Sequence, residues 1–371
     1  MTARTISVDV VRIPTKGPGD VSGLIRLIEA GRIDPTSILA ILGKTEGNGG
    51  VNDFTREYAV SALSAALAPY LSLPPQGVEE RIAFVMSGGT EGVLSPHISV
   101  FTRNMSDNDG SRKTADKRLS IGIAHTRHFL PEEIGRVAQV GETARAVSAA
   151  MADAGIEDPR DVHFVQVKCP LLTSDRSEEA QGRGQSTVTS SAYGSMGYSR
   201  GASALGVAVA LGEINGDIND QHILKKYDLF SSVASTSAGI ELMHNVVIVM
   251  GNSSHATSSL VIGHALMRDA IDYAAVIEAL NSAGLESNHA SATPGRLVNI
   301  FAKAEASPDG VVRGCRHTML EDTDISATRH ARAAVGGLIS GLAGTGAVYV
   351  SGGAEHQGPA GGGPVAVIAR V

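Results

Sequence analysis

Apolar and polar residues follow one another along the chain in an order that occurs three times. Short apolar runs typical of buried strands alternate with stretches in which apolar residues recur at three- and four-residue spacing, as on one face of a helix. The order strand–helix–strand–helix–strand in each copy predicts an α/β fold of three similar units. The predicted strands are 6–11, 38–42 and 82–86, then 119–124 and 162–167, then 246–250, 297–302 and 347–350; in the second unit the segment 228–233 takes the place of the third strand and leads to Ser237.

Helices and polar linkers complete this organisation. Helices are predicted near 21–30 and 53–70, near 131–151 and 200–211, and near 261–283 and 333–342. Polar, glycine-containing stretches near 103–112 and 251–257 separate the units. We therefore predict domains at residues 1–103, 112–248 and 254–371, a division that suits a chain of 371 residues.

Three residue types recur at matching places in the three units. A lysine ends the second strand, an arginine opens the second helix, and a serine follows the third strand in the phrase Ser-small-Gly-x-Glu. The phrase reads Ser87-Gly-Gly-Thr-Glu91, Ser237-Ala-Gly-Ile-Glu241 and Ser351-Gly-Gly-Ala-Glu355. The lysines are Lys44, Lys168 and Lys303, and the first two arginines are Arg56 and Arg200. The third arginine is Arg329 or Arg332, with Arg332 favoured because its distance to the helix end matches that of Arg200.

This recurring set indicates one site at the ends of the strands, where α/β sheets place their ligands. Serine beside lysine is a known nucleophile–base pair, provided that burial or nearby cations keep the lysine neutral. Backbone N–H groups at Gly88 and Gly352 could stabilise an oxyanion or bind substrate. The second copy has Ala238 at this place, a departure that sets its serine apart from the other two. The repeat itself leaves open which serine attacks.

Other motifs are weaker. Gly197-Tyr-Ser-Arg-Gly201 matches the nucleophile elbow of α/β-hydrolases, but the residues before it are polar and do not predict the required buried strand. The histidines lack catalytic-metal spacing. The glycine-rich tail after residue 354 lacks the G-K-[ST] ending of a P-loop, although Gln357 and a carboxylate could offer oxygen ligands to a hard cation.

Composition limits the partners and the compartment. The formal net charge of −7 gives no broad basic surface, which argues against nucleic acid. Two cysteines, Cys169 and Cys315, imply no disulfide framework and suit a reducing compartment. No apolar run approaches 18 residues, and the N-terminus has no signal-peptide pattern. We therefore expect a cytoplasmic protein without a membrane span.

Longer motifs carry a resemblance to a known family. They are Gly43-Lys-Thr-Glu-Gly-Asn-Gly49, His163-Phe-Val-Gln-Val-Lys-Cys-Pro-Leu-Leu-Thr173, Gly194-Ser-Met-Gly-Tyr-Ser-Arg-Gly201, Phe301-Ala-Lys-Ala-Glu305, Arg316-His-Thr-Met319 and Ser351-Gly-Gly-Ala-Glu-His-Gln-Gly-Pro359. Over essentially its whole length, the sequence resembles the cyanuric acid hydrolase and barbiturase family of ring-opening amidohydrolases. The resemblance implies three similar domains around a pseudo-threefold axis, with the active site at the centre.

The resemblance also implies a reaction and roles for the recurring residues. The expected reaction is hydrolytic opening of cyanuric acid to carboxybiuret, which loses CO2 to give biuret. Ser237 is then the nucleophile and Lys168 its base. The other recurring residues bind substrate: Lys44, Arg56, Ser87, Gly88, Arg200, Ala238, Lys303, Arg332, Ser351 and Gly352. The alternatives are a barbiturase acting on barbituric acid and a non-catalytic module that binds such rings.

Two further expectations rest on the resemblance alone. No cofactor is needed for the chemistry, but a structural divalent cation, Mg²⁺ or Ca²⁺, is expected near the C-terminus. Its ligands would be Glu305 with carbonyl or side-chain oxygens of Ala354, Gln357, Gly358, Pro359 and Gly362. The expected assembly is a homotetramer.

Overall fold

The computed structural model describes residues 4–107, 116–214, 217–285 and 295–371. The first unit comprises β1 (Arg4–Pro14), α1 (Ser22–Glu29), β2 (Ile38–Thr45), α2 (Phe54–Leu71), α3 (Pro75–Arg81), β3 (Ala83–Gly88) and β4 (His97–Asp107). The second comprises β5 (Arg118–His125), α4 (Val137–Asp153), β6 (Val162–Pro170), α5 (Ser174–Gly182), α6 (Ala192–Leu211), β7 (Ala234–Gly239) and β8 (Val246–Ser253). The third comprises β9 (Leu260–Met267), α7 (Tyr273–Ser282), β10 (Leu297–Ala304), β11 (Val311–Val312), β12 (Cys315–Arg316), α8 (Ala327–Ala343), β13 (Tyr349–Gly352) and β14 (Gly363–Arg370).

Each unit forms one four-stranded sheet, and the three sheets share a strand order. The orders are β1-β4-β2-β3, β5-β8-β6-β7 and β9-β14-β10-β13. In each sheet the two strands that end in the site run parallel, and their connection carries a helix, as a parallel crossover requires. The remaining pairs are antiparallel. The predicted α/β fold of three similar units is therefore confirmed.

The fourth strand of the second sheet is the one that the hydrophobic pattern assigns to the wrong unit. The strand at 246–250, predicted to start the third unit, is part of β8 and pairs with β5 and β6 of the second unit. The third unit starts with β9, within the stretch predicted as one helix at 261–283. Short apolar runs do not distinguish strand from helix, and Gly263 permits β9 to pack closely against Ser282 of α7. The domain boundaries stay a prediction, because the linker at 108–115 lies outside the described residues.

A central aromatic cluster joins the three sheets. Phe101 of β4 and Phe164 of β6 lie 6.1 and 5.5 Å from Phe301 of β10, between ring centroids. Tyr349 of β13 lies 5.5 Å from Phe301 on the same measure. All four rings are fully buried, with aliphatic residues of all three units around them. Because this core is shared, the strand ends above it are held in a fixed relation to one another. Among the described residues, no helix is long and apolar enough to cross a membrane.

Candidate active site

The parallel strand pairs place each recurring lysine directly beside its serine. The register pairs Lys44 with Ser87, Lys168 with Ser237, and Lys303 with Ser351. All six side chains are buried. Lys44 Nζ donates to Ser87 Oγ at 3.1 Å, and Lys303 Nζ donates to Ser351 Oγ at 3.3 Å. Ser237 Oγ lies 3.4 Å from Ser351 Oγ, so residues more than a hundred positions apart meet at one centre.

The second lysine–serine pair differs from the other two. Lys168 Nζ forms an ion pair with Glu241 Oε1 at 2.8 Å. Lys44 and Lys303 instead donate to main-chain carbonyls as well as to their serines: Lys44 to Gly88, and Lys303 to Thr236 and Gly352. Within the described residues, Lys168 is therefore the one recurring lysine that is held by a carboxylate.

The glutamate of each Ser-small-Gly-x-Glu phrase has a cationic partner. Glu91 accepts from Arg332 Nε at 2.8 Å and Nη2 at 2.6 Å. Glu355 accepts from Arg200 Nε at 2.8 Å. Both pairs join one unit to another, because each arginine comes from a different unit than its glutamate. These glutamates have no role among the sequence-based predictions, although their recurrence at a fixed distance from each serine is a signal that could have identified them.

All three arginines lie on helices, but only Arg56 lies at the start of its helix as predicted. Arg56 lies in the first turn of α2 and Arg332 in the second turn of α8. Arg200 is in the middle of α6, which begins at Ala192 with Ser191 as its cap, so the prediction that Arg200 opens a helix is wrong. The polar residues before Arg200 are helical because Gly197 and Gly201 let α6 pack closely against Glu355 and His356.

Arg56 differs from the other two in its partners. Its guanidinium donates to the carbonyl oxygens of Gly50 at 2.7 Å and of Ala238 at 3.3 Å. Asp53 approaches it only at 4.0 Å. By analogy with the other two pairs, Glu241 would face Arg56, but it contacts Lys168 instead. The three units therefore share positions without sharing one pairing pattern.

Burial lowers the pKa of all three lysines, as is required for a lysine that acts as a base. Burial, and then the nearby Arg200, lowers the pKa of Lys303 to about 7. Burial, and then Arg332, holds the pKa of Lys44 well below its ordinary value. Burial also lowers the pKa of Lys168, but Glu241 opposes that shift. The side chain of Glu241 is 43% exposed, and its carboxyl responds in turn: partial burial alone would raise its pKa, and Lys168 draws the pKa down to about 2.

A small central cavity lies among these groups and joins a larger one. The central cavity has a volume of about 30 Å³, and its lining includes all three serines with Arg56, Arg200 and Arg332. The larger cavity, of about 690 Å³, shares Arg200 and Arg332 with it and is also lined by Arg329. Arg332, not Arg329, thus reaches the serines. The central cavity by itself has room for one or two water molecules.

The alanine in the second copy of the phrase has a packing explanation. A methyl group on Gly88 would lie 1.7 Å from Asp53 Oδ2, and one on Gly352 would lie 2.2 Å from Thr328 Cγ2. At Ala238 the methyl group instead packs in the apolar core of the second unit. Gly88 and Gly352 are therefore needed where a neighbouring side chain occupies the space of the methyl group.

Ser199 does not have the surroundings of a nucleophile elbow. It lies within α6, is fully buried, and accepts a hydrogen bond from Gln139 Nε2 at 2.9 Å. A nucleophile elbow requires a sharp turn between a strand and a helix. The structure therefore contradicts the alternative in which Ser199 is the nucleophile.

The residues expected to hold a cation cluster only in part. Glu305, Ala354 and Gly358 line the larger cavity. Burial, and then the adjacent Glu355, raises the pKa of Glu305, a disfavoured charge that a bound cation would stabilise. The Gln357 amide oxygen accepts from Thr236 N at 2.7 Å, which directs that side chain toward β7. Pro359 O accepts from Gly362 N at 2.9 Å within a turn. In the described part of the chain, no group of three His, Cys, Asp or Glu residues could hold a metal ion.

Comparison with known proteins places the chain in a family. Residues 9–370 match the family described as amidohydrolase ring-opening protein. The chain is 73% identical over 371 residues to the cyanuric acid amidohydrolase of Bradyrhizobium diazoefficiens, covering 99% of both chains. It is 60% identical over 364 residues to that of Pseudomonas sp. strain ADP, covering 98% of this chain and 99% of the relative.

Solved structures give the same result at the level of the fold. A cyanuric acid hydrolase structure, described as an evolutionary innovation by structural concatenation, superposes with a TM-score of 0.94 at 60% identity. It covers 99% of this chain and 100% of its own. The hydrolase from A. caulinodans superposes with a TM-score of 0.89 at 50% identity, over 99% of this chain and 100% of its own. The chain therefore belongs to the amidohydrolase ring-opening protein family.

Proposed function

We propose that this protein is a cyanuric acid amidohydrolase that opens the ring of cyanuric acid by hydrolysis. One observation supports the proposal most strongly. Three serines, each beside a lysine on a neighbouring parallel strand, line one cavity together with three arginines. Cyanuric acid is a ring of three alternating N–H and C=O groups, so its threefold symmetry matches that of the site. The relatives that are 73% and 60% identical are named for this activity.

Substrate recognition follows from the chemistry of the lining. Ring carbonyls accept hydrogen bonds from the guanidinium groups of Arg56, Arg200 and Arg332 and from N–H groups beside the serines. Serine hydroxyls can both donate to a ring carbonyl and accept from a ring N–H. The arginines also supply positive charge where a tetrahedral intermediate develops an oxyanion.

The reaction then proceeds in two stages. Ser237 Oγ forms a bond to a ring carbonyl carbon while its proton passes to Lys168 Nζ. The ring C–N bond breaks, and its nitrogen takes the proton from Lys168. Water next attacks the acyl carbon, Lys168 receives the proton of the water, and the bond from Ser237 breaks as the hydroxyl regains a proton. The released carboxybiuret loses CO2 to give biuret.

The assignment of Ser237 and Lys168 is supported by how this pair departs from the other two. Ser87 and Ser351 each accept a hydrogen bond from a lysine that is also held by main-chain carbonyls. Lys168 has a carboxylate partner instead, and a base that becomes a cation during the reaction gains from such a partner. The other two pairs therefore serve mainly to bind the ring.

The test is turnover of cyanuric acid by the purified protein, with barbituric acid measured alongside. We expect loss of cyanuric acid with formation of biuret and CO2, and much slower turnover of barbituric acid. A preference for barbituric acid would identify the protein as a barbiturase that uses the same active site. Tight binding of both rings without turnover, left intact in the Lys168→Ala variant, would instead identify a binding module.

We further propose a structural divalent cation, Mg²⁺ or Ca²⁺, held by the Glu305 carboxylate and by main-chain oxygens at Ala354, Gln357, Gly358, Pro359 and Gly362. Oxygen ligands of this kind suit both ions, and the cation takes no part in the chemistry. Ligation by the Gln357 side chain is disfavoured because its amide already bonds to β7. The cation would offset the repulsion between Glu305 and Glu355.

Metal removal tests this site without reference to activity. A ligand at 100 times its Kd stabilises the folded state by about 2.7 kcal/mol, so Mg²⁺ or Ca²⁺ added to chelator-treated protein is expected to raise Tm by a few degrees. The Glu305→Gln variant is expected to lose this response. An equal rise of Tm in wild type and variant, or no rise in either, would contradict the proposal.

The assembly expected from the resemblance, a homotetramer, and a cytoplasmic location are also retained as proposals. The mass of the native particle in solution tests the first of them. A mass of four chains is the expected result, and a mass of one or two chains would contradict it.

A further inference from the structure

The glutamate of the Ser-small-Gly-x-Glu phrase recurs in all three units but does not have the same partner in each. In two copies this glutamate binds an arginine of another unit, as Glu91 binds Arg332 and Glu355 binds Arg200. In the copy that contains Ser237, it binds the lysine beside the serine. Glu241 therefore departs from the pattern of the other two glutamates, and it does so at the lysine–serine pair assigned to catalysis.

We propose that Glu241 is the positioning residue that orients Lys168 toward Ser237 and makes this pair, out of three similar ones, the reactive one. The inference deepens the proposed function and rests on it. Ser237, Lys168 and Glu241 then form the series nucleophile, base and orienting carboxylate. In other nucleophilic enzymes, the base is likewise held by a third group.

The geometry supplies the first argument. Lys168 is 1% exposed and its register places it beside Ser237, while its amine lies 2.8 Å from Glu241 Oε1. Lys168 Nζ has no hydrogen-bond partner among the described residues, Ser237 Oγ included, and its contact is the ion pair with Glu241. The direction of the amine therefore depends on Glu241. The Lys44 and Lys303 amines, by contrast, are fixed by main-chain carbonyls.

The charge changes during the reaction supply the second argument. Lys168 becomes an ammonium group each time it accepts a proton, first from Ser237 and then from water. A buried ammonium group without a counter-ion is costly, so a carboxylate at 2.8 Å stabilises both transition states. Glu91 and Glu355 do not provide this contact to Lys44 and Lys303, because their carboxylates bind arginines.

The groups around Lys168 determine the expected pH dependence. Glu241 favours the ammonium form of Lys168, whereas burial and the Arg56 guanidinium disfavour it. Removing the Glu241 charge takes away the largest influence that favours the ammonium form, ahead of that of Cys169, so the pKa of Lys168 falls. Because the neutral amine is the active form, the acidic limb of the rate profile moves to lower pH. The plateau rate falls at the same time, because the ammonium formed in the transition states loses its counter-ion.

The experiment compares kcat, KM and the pH profile of Glu241→Gln with those of wild type on cyanuric acid. We expect kcat at the optimum to fall on the order of 10- to 100-fold, part of the 10²- to 10⁴-fold typical of general base catalysis. We expect KM to change less than kcat and the acidic limb to move to lower pH. The Glu241→Asp variant, which keeps the charge, is expected to restore the limb toward its wild-type position.

Two further variants serve as controls. Glu178, exposed on α5, lies outside the site, and Glu178→Gln is expected to match wild type. Glu91→Gln releases Arg332 and is expected to raise KM without moving the acidic limb. An acidic limb that stays in place in Glu241→Gln would overturn the proposal even if kcat fell, because a merely structural role predicts that result.

A second readout separates this inference from the proposed function. NMR of protein labelled at the lysine ε-carbon reports the pKa of Lys168 in wild type and in Glu241→Gln without any turnover, with the signal identified from its loss in Lys168→Ala. A lower pKa in the variant supports the pairing, and an unchanged pKa overturns it. Failure of wild type to hydrolyse either ring would instead overturn the proposed function alone.

Discussion

The Ser237→Ala variant is expected to lower kcat on cyanuric acid by about 10³-fold or more. The hydroxyl is the group that forms the covalent intermediate, and loss of a nucleophile removes the whole acylation pathway. Its oxygen lies 3.4 Å from Ser351 Oγ in the central cavity, so a methyl group leaves the packing around it almost unchanged. The loss is therefore expected without a change in Tm.

The other serines provide matched comparisons for this result. Ser87→Ala and Ser351→Ala remove hydroxyls of the same central cavity and are expected to raise KM, with kcat lowered about tenfold as the ring is held less well. The measurement is steady-state turnover of all three variants. Equal losses of kcat in the three would leave the site in place and the nucleophile unassigned. Turnover that survived in Ser237→Ala and vanished in Ser199→Ala would contradict the assignment.

The lysine–serine pairs are the part of the site that the sequence predicts best. A lysine and a serine that end two strands of one α/β unit become neighbours whenever those strands pair in parallel, as β2 and β3 do. The order of residues along the chain is enough for that inference. The same reasoning favoured Arg332, which reaches the central cavity, over Arg329, which lines only the larger one.

The parts that escaped prediction depend on contacts between units. Glu91 and Glu355 find their arginines across unit boundaries, and no spacing within one unit records those distances. The choice of Lys168 rather than Arg56 by Glu241 is likewise a matter of geometry in space. The helical state of the residues before Arg200 depends on packing against Glu355, because glycine-rich sequence by itself disfavours a helix.

Strand assignment was limited by a different cause. The strand β8 lies between β5 and β6 and is buried along most of its length, so residues 246–250 read as a plain apolar run. Such a run carries no sign of the sheet to which it belongs. That is why β8 was attached to the wrong unit while the three-unit fold was predicted correctly.

The Arg200→Met variant is expected to destabilise the fold strongly, by about 3 kcal/mol, as is typical when one partner of a buried ion pair is removed. The side chains of Arg200 and Glu355 are only 14% and 18% exposed. Glu305 lies close to Glu355, so the loss of Arg200 leaves two neighbouring carboxylates that repel each other. The measurement is the free energy of unfolding in urea.

The pH dependence of this loss follows from the sign of the shift. Burial alone would raise the pKa of Glu355, but Arg200 outweighs it and holds the pKa below the ordinary value. A carboxyl with a lowered folded-state pKa stabilises the protein above its unfolded pKa of about 4.3, and that stability is lost as the pH falls. In Arg200→Met the folded-state pKa rises instead. The difference in unfolding free energy between wild type and variant is therefore expected to be largest at neutral pH and to narrow toward pH 4.

An exposed ion pair provides the control. Arg160 pairs with Asp158 at 2.6 Å, but its side chain is 89% exposed, and solvent screens such pairs. Arg160→Met is therefore expected to leave the unfolding free energy nearly unchanged at every pH. Two results would contradict the stabilising role of the Arg200–Glu355 pair between α6 and the loop after β13. One is an equal loss of unfolding free energy in Arg160→Met and Arg200→Met. The other is a difference between wild type and Arg200→Met that widens as the pH falls.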